Sequence, residues 1–275
     1  MITSLQNDSI KLIRSLDMRK ARRETSLFVA EGASVLVTAR DNGWSPRMLV
    51  SGPQAADSAI ARQLSMWAEA AGADRLDVSG PVLEKLAAKD NPQSLMAVFE
   101  QRWHPLPAPA LMKQPPPADA EARLAPLWIA LEEIRDPGNL GTILRTADAA
   151  GASGIILVGN TCDPFSREAV RASMGSIFAV PVAHADQSQF MRLAAQWPGD
   201  VVGTHLGGKL DYRGAGYREP VLLVMGNEGA GLTPDAAAAC SKLVRIPMAG
   251  RLDSLNLAVA TALMLYEIRR PQLRL

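Results

Sequence analysis

LEEIRDPGNLGTILRTADAAGASGIILV, residues 131–158, decides the fold class of this 275-residue chain. A strand read at 127–131 leads into it, Asp136-Pro137-Gly138 turns the chain, a helix follows at 139–150, and the run 154–158 is a second strand. Both strands are almost wholly apolar, as strands buried on two faces are, and the helix between them makes the crossover that parallel strands require. Leu140, Ile143, Leu144 and Ala147 recur at the helical period and face a core, whereas Gly141, Arg145 and Asp148 line up on another side. Asn139 can cap this helix. A helix bare at Gly141 lets a ligand approach Arg145; the alternative is an Arg145–Asp148 pair on a solvated face, worth about a few tenths of a kcal/mol.

Outward from this unit the same alternation continues. Further strands are read at 201–204, 221–225 and 243–246, with a weaker one at 181–183, and helices at 167–173, 189–196, 234–239 and 254–270. The expected architecture is an open parallel α/β sheet. Ligands on such sheets bind outside the carboxyl ends of the strands, so the loops after Leu131, Thr204, Met225 and Ile246 are the places for a site. Upstream, residues 104–126 contain seven prolines and read as an extended, semi-rigid spacer. Before it, helices at 9–23, 33–42, 59–71 and 82–88 alternate with strands at 27–30, 48–50, 75–78 and 95–99, which predicts a small α/β sandwich. The expected domains are therefore 1–102 and 127–275, joined by 103–126.

Composition narrows the function classes. Hydrophobic residues make up 48% of the chain, enough for two cores, yet no apolar run reaches the ~18 residues of a membrane span. The N-terminus has no apolar stretch ending in a small-residue cleavage site, so the expected location is cytoplasmic. Cys162 and Cys240 lack partners at zinc-site spacing and read as buried small residues, with no metal and no disulfide framework. A net charge of +1 gives no global basic signature, so nucleic-acid binding must rest on local patches. One such patch is the helix carrying Lys11, Arg14, Arg19, Lys20, Arg22 and Arg23, suited to phosphates or else a solvated face. The run from Gly203 to Leu210 nearly spells a phosphate loop, but Leu210 replaces the hydroxyl that magnesium needs and a glycine-rich stretch follows instead of a helix.

Three stretches each follow a strand end and can converge: N-x-G-x-x-x-R at Asn139 to Arg145, M-G-N-E-G at Met225 to Gly229, and I-P-M-x-G-x-x-x-S-L-N at Ile246 to Asn256. Taken singly, Glu228 is an exposed turn residue, Ser254 a helix N-cap and Asn256 a solvated side chain. In this order they resemble the three motifs of the SpoU/TrmH family, RNA ribose 2′-O-methyltransferases of the SPOUT superfamily. The resemblance spans about 127–270 and includes PFSREAVRASMGSIFAVPV between the first two motifs. Residues 1–102, from ITSLQNDSIKLIRSL to FVAEG and beyond, look like the substrate-binding domain of many members.

The resemblance implies a deep trefoil knot in the C-terminal sheet, against the ordinary rule of unknotted chains. It implies S-adenosyl-L-methionine as cofactor, contacted by Gly226, Ile246 and Leu255 and lined by Thr204, Met225 and Met248. It also implies a homodimer. Arg145, Asn139, Glu228, Ser254 and Asn256 form the implied catalytic set, with Arg145 meeting the ribose or a phosphate and no metal taking part. The substrate implied is large-subunit ribosomal RNA; the alternatives are tRNA, or an inactive RNA-binding assembly factor.

Overall fold

Two sheets of different character organise the chain. The computed structural model describes residues 1–55, 58–87, 93–112 and 124–273. They fall into two units, Met1–Arg102 with Asp163–Ala179, and Trp103–Cys162 with Val180–Leu275. The sequence reading closes the first domain at residue 102, whereas the first unit also takes in Asp163–Ala179.

In the first unit the elements run α1 (Asp8–Ser15), α2 (Arg19–Thr25), β1 (Leu27–Glu31), α3 (Ala33–Asp41), β2 (Pro46–Ser51), α4 (Ala59–Ala70), β3 (Asp74–Asp77), α5 (Gly80–Ala87) and β4 (Leu95–Glu100). The sheet order is β1-β4-β2-β3, with β4 antiparallel to both neighbours and β2 parallel to β3. Ile10, Ile13 and Leu16 of the first helix region pack with Val82, Leu83 and Leu86 over Val29, Val50 and Val98 of the sheet. Ala88, the last residue of the helix read at 82–88, lies outside the described residues.

The helix expected at 9–23 is two helices. Asn7 caps α1 by accepting from Ser9 N and Ile10 N, and Met18, in an extended conformation, precedes α2. Arg22 explains the break: its Nη1 donates to Leu16 O at 2.7 Å and Asp17 O at 2.9 Å, closing the carboxyl end of α1. Its Nε donates to Asp163 Oδ2 at 2.8 Å. Asp163–Ala179, which includes α8 (Arg167–Ala172), adds Phe165 and Phe178 to Phe28, Trp44 and Phe99, with ring centroids 4.9 Å apart for Phe28–Phe165 and for Phe99–Phe178. Arg167 of α8 pairs with Asp17 and Glu31.

In the second unit the elements are α6 (Pro109–Met112), β5 (Leu127–Glu132), α7 (Pro137–Ala149), β6 (Gly154–Val158), β7 (Val182–Ala185), α9 (Gln187–Gln196), β8 (Val201–Thr204), β9 (Leu210–Asp211), β10 (Val221–Met225), α10 (Pro234–Ala239), β11 (Lys242–Arg245) and α11 (Leu257–Arg269). The sheet order is β7-β6-β5-β10-β8-β11-β9, and every pair is parallel. The expected parallel α/β sheet is thus observed, with one more strand than the sequence indicated, since β9 is two exposed residues without an apolar run. Phe190, Leu193 and Ala236 of α9 and α10 pack on Trp128, Ile156, Leu222 and Val224. The proline-rich stretch is not wholly extended. Pro109 opens α6 at a position where its missing N–H costs nothing, His104 N donates to Val182 O, and Leu106 and Met112 pack on the core of the second unit. Residues 113–123 of the spacer lie outside the described residues.

Candidate functional site

All seven strands of the second sheet point the same way, so the loops after β5, β8, β10 and β11 leave from one edge. Register puts Val224 beside Gly203, and Val244 beside Thr204, which brings Thr204, Met225 and Ile246 to neighbouring strand ends. Glu133, just past β5, takes a positive φ of 50° and turns the chain into α7.

Three separate stretches then join through hydrogen bonds. Glu228 accepts from Asn139 Nδ2 at 3.4 Å, from Asp136 N at 3.3 Å and from Arg135 N at 3.4 Å. Asn139 Oδ1 accepts from Asn256 Nδ2 at 2.9 Å. Asn256 Oδ1 accepts from Ala258 N at 2.9 Å and Val259 N at 3.3 Å. Asn139, Glu228 and Asn256 are therefore one connected set, as convergence of the motifs requires. Arg145 lies on the exposed side of α7, and its side chain has no hydrogen bond or ion pair among the described residues. Ser254 is exposed and is not brought into the set.

Several local readings change. Asp136, not Asn139, caps α7: its carboxylate accepts from Asn139 N at 2.6 Å, with Pro137 in the first helical position. Asn256, not Ser254, caps α11, because the helix begins only at Leu257 where the buried apolar positions begin. Gly141 is buried with Leu140, Ile143, Leu144 and Ala147, so it serves packing and not an approach to Arg145. Arg22, 4% exposed, is engaged inside the first unit and cannot serve as an exposed phosphate contact, unlike Lys11, Arg14, Arg19, Lys20 and Arg23. Cys162 and Cys240 are half-buried, and burial, with Glu132 nearby, pushes the Cys240 thiol up to about 12.

The glycine loop after β10 is braced more than it is open. A Cβ on Gly226 would stand 2.1 Å from the backbone of Gly231, so only glycine lets the loop fold back on itself. Asn227 and Gly231 exchange two backbone hydrogen bonds across that fold. Asn227 Oδ1 accepts from Gly229 N at 2.9 Å and Ala230 N at 3.3 Å, while Nδ2 donates to Glu133 O at 2.8 Å. Asn227 is not among the site residues expected from the sequence; an Asn in a glycine-rich turn is the signal that could have found it. Buried Glu132 holds the next helix by accepting from Thr233 N and Oγ1 and from Gln187 Nε2.

The same edge suits an adenosyl cofactor. Thr204, Ile246 and Met248 are half-buried there, and Thr204 Oγ1 donates to Met225 Sδ at 3.6 Å. Residues 246–255 make no hydrogen bond with the described residues, which leaves a run of backbone N–H and C=O groups beside apolar side chains. A planar base and a ribose need that mixture. Met225, 1% exposed, forms only the floor, and Leu255, 37% exposed, lies outward.

Comparison with known proteins agrees with this arrangement. Residues 126–266 match the SpoU rRNA Methylase family, and residues 7–97 match the MRM3-like substrate binding domain. The crystal structure of AdoMet-bound rRNA methyltransferase from Sinorhizobium meliloti superposes with a TM-score of 0.86 at 47% identity, covering 99% of this chain and 98% of that one. The 23S rRNA (uridine(2479)-2'-O)-methyltransferase of Streptomyces viridochromogenes is 32% identical over 94% of this chain and 88% of its own length. The 23S rRNA (guanosine(2553)-2'-O)-methyltransferase RlmP of Bacillus subtilis is 28% identical over 98% of each chain.

Proposed function

Because this chain belongs to the SpoU rRNA Methylase family, we infer that it methylates a ribose 2′-hydroxyl of large-subunit ribosomal RNA, with S-adenosylmethionine as donor. The observation that carries the reading is the chain of contacts from Glu228 through Asn139 to Asn256, which joins three motifs on the helix that also bears Arg145, a side chain with no partner among the described residues. When bound, the cofactor supplies a methyl group on a sulfonium that a ribose oxygen can displace. The protein's own task is to hold that hydroxyl in line, exclude water and meet the negative charge that grows on the oxygen. Arg145 meets the charge, at the oxygen or at an adjacent phosphate. A guanidinium is a poor proton acceptor, so its role is electrostatic and not that of a base. Asn139, fixed from both sides, orients the ribose or Arg145. The backbone of residues 246–255, with Thr204 and Gly226, holds the cofactor.

The finer parts of the reading have separate support. A trefoil knot is consistent with β10 entering between β5 and β8, and β11 between β8 and β9, after those strands are laid down in sequence. A homodimer is supported by the outer face of α11, where Val259 is 50% and Tyr266 49% exposed beside a groove of about 490 Å³ lined by Thr142, Thr146, Tyr212 and Leu263. A two-fold copy of the same surface is the commonest cover for such a face. Residues 1–102 select the RNA, with Lys11, Arg14, Arg19, Lys20 and Arg23 facing phosphates, and the enzyme works in the cytoplasm. Two relatives of full-length similarity carry names that specify a uridine and a guanosine, so base choice lies outside the shared motifs.

The test is incubation with labelled S-adenosylmethionine and, in parallel, large-subunit ribosomal RNA from cells lacking the protein, or tRNA. Ribose label in the ribosomal RNA is expected. Label confined to tRNA overturns the substrate, and no label in either overturns the enzyme.

A further inference from the structure

We propose that Arg269 is a positioning residue for methyl transfer: by locking the carboxyl end of α7 to α11 it sets where Arg145 stands. The inference rests on the reading of Arg145 as the group that meets the growing charge. Helices α7 and α11 are tied at both ends. At the head, Asn256 Nδ2 donates to Asn139 Oδ1 at 2.9 Å. At the tail, Arg269 Nε donates to Ala150 O at 3.3 Å and Nη2 to Gly151 O at 2.9 Å. First turn meets first turn and last meets last, so the helices run side by side in the same direction.

The tail contact is more than α7 needs for its own closure. Ala150 N, Gly151 N and Ala152 N already bond back to Thr146, Asp148 and Ala147, and Gly151 supplies the left-handed turn (φ 63°) that ends a helix. Arg269 is nonetheless 1% exposed, and withdrawing a guanidinium from water is costly unless contacts such as these offset it. What the contact adds is a fixed relation between the two helices. The Arg145 side chain has no hydrogen bond or ion pair among the described residues, so its place is inherited from the α7 backbone, five residues or roughly 7.5 Å upstream of Ala150. A shift of α7 by about 1 Å is of the size that costs on the order of 10²-fold in rate. α11 also follows directly on residues 246–255, so the stretch assigned to the cofactor and the helix of Arg145 share one rigid partner.

The experiment is a double-mutant cycle on the full chain, assayed with large-subunit ribosomal RNA from cells lacking the protein. Arg269→Met is expected to lower kcat roughly 10- to 10²-fold, with KM for RNA and Kd for S-adenosylmethionine unchanged. In an Arg145→Ala background the same substitution should have no further effect on kcat, because a residue acting through Arg145 has nothing left to position. Arg269→Lys keeps the charge but replaces the two nitrogens that meet separate carbonyls with one; it should fall between, and it carries the same cycle if Arg269→Met does not fold. Equal fold-losses in both backgrounds, an unchanged kcat, or a matching loss of cofactor affinity overturns the proposal. Near-normal turnover of Arg145→Ala alone overturns instead the reading on which it rests.

Discussion

The corner between α1 and α2 and the exposed face of α7 each present an arginine beside other polar groups, and the two arginines have opposite fates. Arg22 is surrounded: two carbonyls of the α1 terminus and the Asp163 carboxylate take its donors, and its side chain is 5% exposed. Arg145 stands on a helix whose opposite side is fully packed, and its donors meet no described residue. Both look equally suited to phosphate in the sequence. The difference teaches that charge alone does not mark a functional arginine. The proposed role of Arg145 rests instead on a guanidinium without a side-chain partner among the described residues, carried by a helix that is otherwise packed.

The sharpest way to break the comparison is Arg22→Ala. It removes the ion-pair partner of the half-buried Asp163 carboxylate, which still accepts from Phe165 N, and strips two helix-end carbonyls, so a loss of about 3–5 kcal/mol is expected in urea unfolding, with the salt dependence of RNA binding unchanged. A small stability loss with a shallower salt dependence would mean that Arg22 faces RNA after all. Arg145→Ala should do the reverse. Turnover falls about 10²–10³-fold, equivalent to roughly 2.7–4 kcal/mol of transition-state stabilisation, while unfolding moves by less than about 0.5 kcal/mol. Cofactor binding measured by calorimetry stays near normal.

Between these lies Asn256→Ala, which removes both the α11 cap and the bond to Asn139. A stability loss of about 1 kcal/mol is expected for the cap, together with lower turnover from a freed Asn139. An unaltered kcat with the stability loss present would make Asn256 a cap and nothing more. The smallest effect belongs to Lys20→Ala. Its ion pair with Glu24 is a 3.8 Å contact between exposed side chains, so stability should change by less than about 0.5 kcal/mol. If Lys20 meets a phosphate, the slope of log K against log salt should fall by about 0.7–0.9. An unchanged slope removes Lys20 from the RNA surface.

Much of the second sheet was legible. The strands at 154–158, 201–204 and 221–225 were placed to the residue, because strands buried on both faces are uninterrupted apolar runs ended by turn residues. The convergence of Asn139, Glu228 and Asn256 was legible too, since each follows a strand of one parallel sheet. Caps were less so. Asp136-Pro137 carried the signal of a cap and a first helical proline, but Asn139 drew attention as a motif residue. The break after α1 left no local mark, because a guanidinium six residues on closes that helix end. Likewise, nothing in PFSREAVRASMGSIF says that Phe165 and Phe178 belong to a core built around Phe28 and Trp44. That segment lies between β6 and β7 in sequence, and only long-range packing assigns it to the first unit.

By itself the sequence determined the periodicities, the parallel sheet, the edge on which the candidate site lies and the residue types gathered there, since all of these follow from local pattern and from the direction of the chain. The tertiary structure decided the strand order, in which β10 and β11 enter between earlier neighbours, and it decided which charged groups are enclosed and which are free. Those outcomes depend on contacts between residues far apart in the chain. Arg22 meets Asp163 across 141 positions, and Arg269 meets Ala150 across 119. No window along the sequence holds both partners, and the cost of burying a charge is offset only once the distant partner is in place.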